Sequence, residues 1–206
     1  MKRGNLAYRF IKRTFDIVTC FIFILILLVP MLIIGLIVVI TSKGPMIYVS
    51  KRVGKDGKVF NIYKFRTMIK DAEEKLNELL DKNEVEGGVT FKMKDDPRVT
   101  KFGRFLRKSS LDELPQLFNV LNGTMTIVGP RPGTVREYEL YDDRAKERLQ
   151  VPQGITGEWQ VNGRNDTTFD EMINLDLKYI YEKRSLLHDL YLIFATIPAV
   201  FKHKGE

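Results

Sequence analysis

Between Ile17 and Ile40 the chain carries no charged side chain and consists almost entirely of Ile, Leu, Val and Phe. About 20 apolar residues suffice to cross a hydrocarbon core, so this run commits the chain to a membrane before its other features are considered. A cleavable signal peptide fits poorly, because the run is too long and no small-x-small site follows it. Pro30 sits just past the middle, where it removes one helical hydrogen bond and crowds the preceding turn. The two arms beside it reach roughly 20 and 15 Å at ~1.5 Å per residue, and neither spans a core of about 30 Å alone. Lys2, Arg3, Arg9, Lys12 and Arg13 precede the run, and Lys43, Lys51, Arg52, Lys55 and Lys58 follow it. A spanning helix would leave one of these clusters outside, against the positive-inside tendency. A re-entrant hairpin turning at Pro30 puts both on the cytoplasmic face, beside anionic lipid. A kinked spanning helix stays open as the alternative, since neighbouring groups can satisfy the backbone that proline frees.

The remainder of the 206 residues is polar enough for one compact domain. Its basic excess, a net charge of +7, suits anionic partners such as lipid headgroups and phosphates. No zinc-finger, RNA-recognition or basic-zipper pattern points to nucleic acid. The single cysteine, Cys20, excludes an internal disulfide and a thiolate zinc site. With two histidines, His188 and His203, both late in the chain, a His-centred metal site or triad is not expected.

Residues 46–52 and 58–65 are rich in β-branched and aromatic side chains around Asp56-Gly57, which predicts a β-hairpin. Ala72, Leu76, Leu79 and Leu80 predict an amphipathic helix over 71–82, ended by Gly87-Gly88 and followed by a β-prone piece at 89–93. Residues 101–108 interleave Lys101, Arg104, Arg107 and Lys108 with Phe102, Phe105 and Leu106, which suits either the membrane surface or the domain core. Residues 190–201 are strongly apolar but too short to span, and predict an interfacial helix at about 186–204 with Lys202 and Lys204 reaching outward. The expected fold is therefore α+β and helix-rich, with a membrane segment over 1–41 and a catalytic domain over 42–206.

Three stretches could carry chemistry. Leu114, Leu117, Phe118 and Leu121 predict a helix starting near Asp112, with Pro115 in its first turn. Ser110 and Glu113 there make an S-x-x-E capping box, a purely structural reading. The chemical reading is an ionised Asp112 as nucleophile toward phosphorus, with Glu113 as a Mg²⁺ ligand and Arg107 as a phosphate contact. In Gly129-Pro130-Arg131-Pro132-Gly133 the prolines restrict the backbone around Arg131, either to pre-organise an oxyanion contact or simply to make a rigid turn. Gly154-Ile155-Thr156-Gly157, followed by Gln160 through Asn165 with Arg164 inside, suits a phosphate or nucleotide loop but matches no Walker or Rossmann pattern.

Taken in order, Tyr63-Lys64-Phe65-Arg66-Thr67-Met68, Asp96-Pro97-Arg98, residues 110–117, 129–132 and 154–165 resemble the bacterial sugar transferase family, the monotopic phosphoglycosyl transferases. The central proline of the apolar run resembles that family's re-entrant membrane helix, and the chain looks like the family's minimal form. The resemblance implies a two-step reaction at the bacterial inner membrane, with the catalytic domain on the cytoplasmic face. Asp112 would take a phosphosugar from a UDP-sugar, releasing UMP, and pass it to polyprenyl (undecaprenyl) phosphate. Glu113 would bind Mg²⁺, and Arg107, Arg131, Arg164, Lys64 and Arg66 would serve the substrate phosphates. Departures from the family pattern stand at Val29, Ser50, Thr124, Gln153 and Glu158, none of which removes a proposed catalytic group. Two other functions fit less of the pattern: a metal-dependent glycosyltransferase releasing UDP, and a non-catalytic membrane-anchored assembly protein. Which sugar is used, which glycan is made and whether the chain forms homo-oligomers are not legible here.

Overall fold

The computed structural model describes residues 6–72, 74–75, 93, 96–163 and 167–202. The expected helix over 71–82 and the β-prone piece at 89–93 fall mainly outside the described residues, as does Arg164.

The apolar run lies within one helix, α1 (Leu6–Ser42), and the helix continues through Pro30. The expected two arms are thus one helical element: proline removes a single N–H donor, and the apolar residues on both sides keep the remaining ladder. Lys12, Asp16, Cys20, Met31, Gly35, Val38 and Ser42 form its buried face, and no residue between Cys20 and Met31 is buried. Its other face, including Phe21, Leu25, Ile26, Leu32 and Leu36, is exposed. It is the one described helix long and apolar enough to cross a membrane by length and composition.

Strands β1 (Ile47–Val53) and β2 (Val59–Phe65) form the expected antiparallel hairpin, in register from Ile47↔Phe65 to Val53↔Val59. Asp56 and Gly57 both take positive φ, 57° and 74°, so the Asp-Gly pair makes the turn that its chemistry favours. The chain then runs through α2 (Lys101–Ser109) and a 3-10 turn (Leu111–Glu113) into α3 (Gln116–Leu121). Strand β3 (Thr126–Val128) follows, and β4 (Gly133–Thr134) joins the hairpin as third strand in the order β2-β1-β4. After α4 (Val135–Glu139) and α5 (Asp143–Lys146), β5 (Gly154–Thr156) pairs in parallel with β3. Helices α6 (Glu158–Asn162), α7 (Phe169–Lys178) and α8 (Leu186–Lys202) complete the described chain. A helix expected at about 186–204 is present as α8, with Leu187, Tyr191, Phe194 and Ile197 exposed along it. The α+β, helix-rich architecture is as expected.

Two of the core clusters are shared between α1 and later elements. Cys20 packs with Ile62, Leu117, Val120, Ile127 and Leu192, and Met31 and Val38 pack with Phe65 and Leu106. A buried polar cluster ties the same elements together. Lys12 lies 3.3 Å from Asp16 and 2.9 Å from Asp189, while Thr126 donates to Asp16 at 2.5 Å and Tyr179 to Asp189 at 2.7 Å. Buried charges persist only when paired in this way.

Candidate active site

The Asp112-Glu113 pair sits in a single 3-10 turn ahead of α3, and not in the first turn of α3 itself. Ser110 takes a left-handed conformation, φ 56°, ending α2, and its side chain caps nothing. The capping box expected from Ser110 and Glu113 is therefore absent. The reversed backbone at Ser110 instead turns the chain into the 3-10 segment and leaves the Glu113 side chain for other partners. Pro115 stands at the N-cap of α3.

Those partners are cations from two distant segments. Lys64 of β2 donates to Glu113 Oε1 at 2.7 Å and lies 3.9 Å from Asp112 Oδ2. Arg131 donates to the same Glu113 oxygen at 3.2 Å. Burial raises the Glu113 pKa, but Lys64 and then Arg131 outweigh it and hold the carboxyl far below its usual range. Asp112 is 8% exposed, and burial pushes its carboxyl up to about 6 against the opposing pull of Lys64. Adjacent carboxylates thus have opposite tendencies: one is firmly ionised and clamped, the other titrates near neutrality. Groups displaced in opposite directions are a mark of functional sites.

The other expected residues are placed as follows. Arg107 donates through Nε to Thr67 Oγ1 at 3.0 Å, and its charge reaches Asp112, so it borders the pair. Arg66 turns elsewhere: its Nε donates to the Pro45 carbonyl at 3.0 Å and its guanidinium lies 5.9 Å from the Tyr48 ring centroid. Gly154 to Thr156 form strand β5, and the end of the candidate phosphate loop, residues 164–165, lies outside the described residues. A Cβ at Gly154 would stand 2.2 Å from the Gly129 amide nitrogen, and one at Gly157 would stand 2.3 Å from the Gly129 carbonyl oxygen. These glycines allow two backbones to meet, and in doing so fix the base of the Arg131 loop.

Several polar residues that sequence reasoning passed over hold this arrangement. The Asn119 side chain donates to the Asn61 carbonyl at 2.7 Å and accepts from the Tyr63 amide at 2.9 Å, so α3 reads the edge of β2 as a strand would. That contact sets Lys64 against the Asp112-Glu113 turn. Arg148, fully buried, donates to the Arg131 carbonyl at 2.9 Å, to Tyr141 Oη at 2.7 Å and to Asp176 Oδ2 at 2.6 Å. It anchors the backbone from which Arg131 projects. A cavity of about 1090 Å³ opens elsewhere, lined by the first turns of α1, the hairpin tip and Gln150, and none of the charged groups around Asp112 lines it. Position relative to reacting groups, and not cavity size, marks the site here.

Among the described residues no group of three or more His, Cys, Asp or Glu side chains could cage a metal ion. The Asp112-Glu113 donor set nevertheless fits Mg²⁺, which commonly takes one or two carboxylates and completes its shell with substrate phosphates. The Lys64 and Arg131 contacts to Glu113 fall on Oε1, so Oε2 would be the atom offered to such an ion.

Together, a helix long and apolar enough to cross a membrane and a carboxylate pair set among cations lie within one domain. The chain belongs to the bacterial sugar transferase family, whose model matches residues 7–203. It is 46% identical, over 98% of its length, to the undecaprenyl-phosphate galactose phosphotransferase of Salmonella typhimurium, covering 44% of that protein. It is 49% identical over 79% of its length to the galactosyl transferase CpsE of Streptococcus agalactiae, covering 36% of that protein. It is also 44% identical over 95% of its length to the exopolysaccharide production protein ExoY of Sinorhizobium fredii, covering 87% of that protein. The chain thus spans less than half the length of the first two relatives.

Proposed function

We propose that the chain transfers a sugar-1-phosphate from a UDP-sugar to polyprenyl phosphate, by way of a phosphosugar held on Asp112. The observation that carries this reading is the buried Asp112 carboxyl, poised near neutrality beside a Glu113 clamped by Lys64 and Arg131. Relatives named as undecaprenyl-phosphate galactose phosphotransferase and UDP-glucose:undecaprenyl-phosphate glucose-1-phosphate transferase support the substrate classes.

In the first step a carboxylate oxygen of Asp112 attacks the β-phosphorus. The bond from that phosphorus to the bridging oxygen breaks, and UMP leaves with the electron pair. In the second step an oxygen of the polyprenyl phosphate attacks the same phosphorus and displaces the Asp112 carboxylate, giving a polyprenyl diphosphate sugar. Lys64 lowers the proton affinity of Asp112 and keeps the nucleophile ionised at neutral pH. Arg131 and Arg107 stand where they can meet phosphate oxygens. Mg²⁺ at Glu113, when bound, supplies further neutralisation of phosphate charge.

We also propose that α1 re-enters the membrane and leaves on the side it entered, with the catalytic domain cytoplasmic. Both of its ends are tied to one domain: Arg13 donates to the Val120 and Leu121 carbonyls at 2.5 and 2.8 Å, and Lys70 N–H donates to the Ser42 carbonyl at 3.2 Å. A bend at Pro30 lets the uncovered middle dip into lipid while both ends stay in the interface.

Two experiments test these readings. Purified protein given a panel of UDP-sugars, Mg²⁺ and polyprenyl phosphate should release UMP, and Asp112→Asn should release none. Release of UDP, or normal turnover by that variant, would refute the mechanism. For topology, an impermeant thiol reagent should reach single cysteines at Asn5 and at the exposed Lys43, in a Cys20→Ser background, from the cytoplasmic side only. Periplasmic labelling at Asn5 would mean that the helix spans.

A further inference from the structure

Arg52 lies on β1, directly across from Thr134 of β4 in the antiparallel register, with Val53 across from Gly133. The Pro130-Arg131-Pro132 segment leads straight into that pairing, which places Arg52 beside Arg131. The Arg52 side chain is partly buried, and its Nε is fully shielded from solvent with no hydrogen-bond acceptor. Among the described residues its guanidinium takes part in no hydrogen bond or ion pair.

The nearby carboxylates each engage other groups through one oxygen, and neither bonds Arg52. Glu113 Oε1 is held by Lys64 and Arg131, and Glu137 Oε2 accepts from the Thr134 amide at 2.6 Å. Burial, and after it the charge of Arg131, lower the Arg52 pKa, and the opposing pull of Glu137 and Glu113 compensates this cation only in part. Arg148 offers a partial contrast: its terminal nitrogens donate to Tyr141, the Arg131 carbonyl and Asp176, although its Nε is likewise buried without an acceptor. A desolvated guanidinium without acceptors, next to a second one, is unfavourable for folding alone. An oxyanion between the two would remove the penalty, and guanidinium forks match phosphate oxygens.

We propose that Arg52 pairs with Arg131 to bind a phosphate oxyanion of the substrate, making it a binding residue of the site. The inference rests on the transfer reaction proposed above and names the group that meets the phosphate. Donor diphosphate and acceptor monophosphate share this chemistry, and the test separates them.

Arg52→Met removes the charge and keeps an unbranched side chain, while Arg52→Lys keeps charge without the fork. Detergent-purified full-length proteins would be compared in three ways. These are thermal midpoints without ligand, KM for the UDP-sugar and for polyprenyl phosphate separately, and calorimetric Kd for UDP. Arg52→Met should melt at or above the wild-type midpoint, because an unpaired buried charge is gone. It should raise the KM of the substrate whose phosphate Arg52 meets by about tenfold or more, a loss on the order of one charge-assisted hydrogen bond. A rise in the UDP-sugar KM together with UDP Kd assigns the donor, and a rise confined to polyprenyl phosphate assigns the acceptor. Arg52→Lys should fall between wild type and Arg52→Met. Unchanged KM in both arms, or a lowered midpoint with normal kinetics, would overturn the proposal and leave Arg52 a framework residue. Wild type that binds UDP and turns over while Arg52→Met behaves identically refutes this inference alone. Wild type that neither binds UDP nor releases UMP refutes the transfer reaction as well.

Discussion

Replacing Asp112 with asparagine should abolish transfer and at the same time stabilise the fold. Burial lifts the Asp112 carboxyl from 3.8 to about 6 in the folded protein. Each pKa unit corresponds to about 1.36 kcal/mol, so ionising this group in place costs up to about 3 kcal/mol of stability. The sign is as follows. Between roughly pH 4 and 6 the folded chain holds a proton that the unfolded chain has lost, so stability falls as pH rises through that window and is flat above it. Asparagine resembles the protonated form and carries no such cost. The variant should therefore match wild type below about pH 4 and exceed it above about pH 6, by as much as 5–10 °C in thermal midpoint for a chain of this size. Glu113 changes sign the other way, since Lys64 and Arg131 outweigh burial and depress its pKa, but it is present in both proteins and largely cancels. Thermal unfolding in detergent across pH 4 to 8, followed by circular dichroism, measures the gap. A variant less stable than wild type at pH 8, or a gap that does not close toward pH 4, would refute the reasoning. Either outcome would mean that the Asp112 carboxylate contributes to the fold instead of being held against it.

Lys64→Met should raise the Asp112 pKa further, because Lys64 is the leading group that lowers it. The acid limb of kcat/KM should move upward from about pH 6, and a pH–rate profile will show it. Arg148→Met leaves Asp176 buried without its 2.6 Å partner, and should cost roughly 3–5 kcal/mol by chemical unfolding. Gly154→Ala places a Cβ 2.2 Å from the Gly129 nitrogen. Prising β3 from β5 should cost about 1–3 kcal/mol and, by shifting Arg131, lower UMP release more than tenfold.

Local chemistry was legible in the sequence and long-range polar pairing was not. Asp56-Gly57 announces the hairpin because few residue pairs tolerate two successive positive φ angles. Pro30 stands out in the apolar run, yet the helix continues through it, since losing one donor does not end a ladder supported on both sides. Asp112 and Glu113 draw notice as adjacent acids, but nothing in their spacing shows that Lys64, on a strand far upstream, holds one of them. Asn119, Arg148 and Asp176 look like ordinary polar positions of short helices, and their burial exists only once tertiary contacts form. Glycines carry the deepest ambiguity. Gly154 and Gly157 suit a ligand loop and a close backbone crossing equally well, and only the position of Gly129 reveals the crossing.

The salt bridge between Lys12 and Asp189 has a consequence for biosynthesis. Lys12 and Cys20 leave the ribosome long before Asp189 and Leu192, the residues that complete their packing. In the membrane insertion proposed above, the first helix enters lipid with Lys12 and Asp16 lacking their later partners Asp189 and Thr126, and waits there while about 150 further residues are made, which takes on the order of ten seconds at typical elongation rates. The interface, where headgroups can solvate both charges, is the one place where such waiting is cheap. Removing α1 to obtain a water-soluble enzyme would strip away one wall of its core, so detachment and unfolding become the same event.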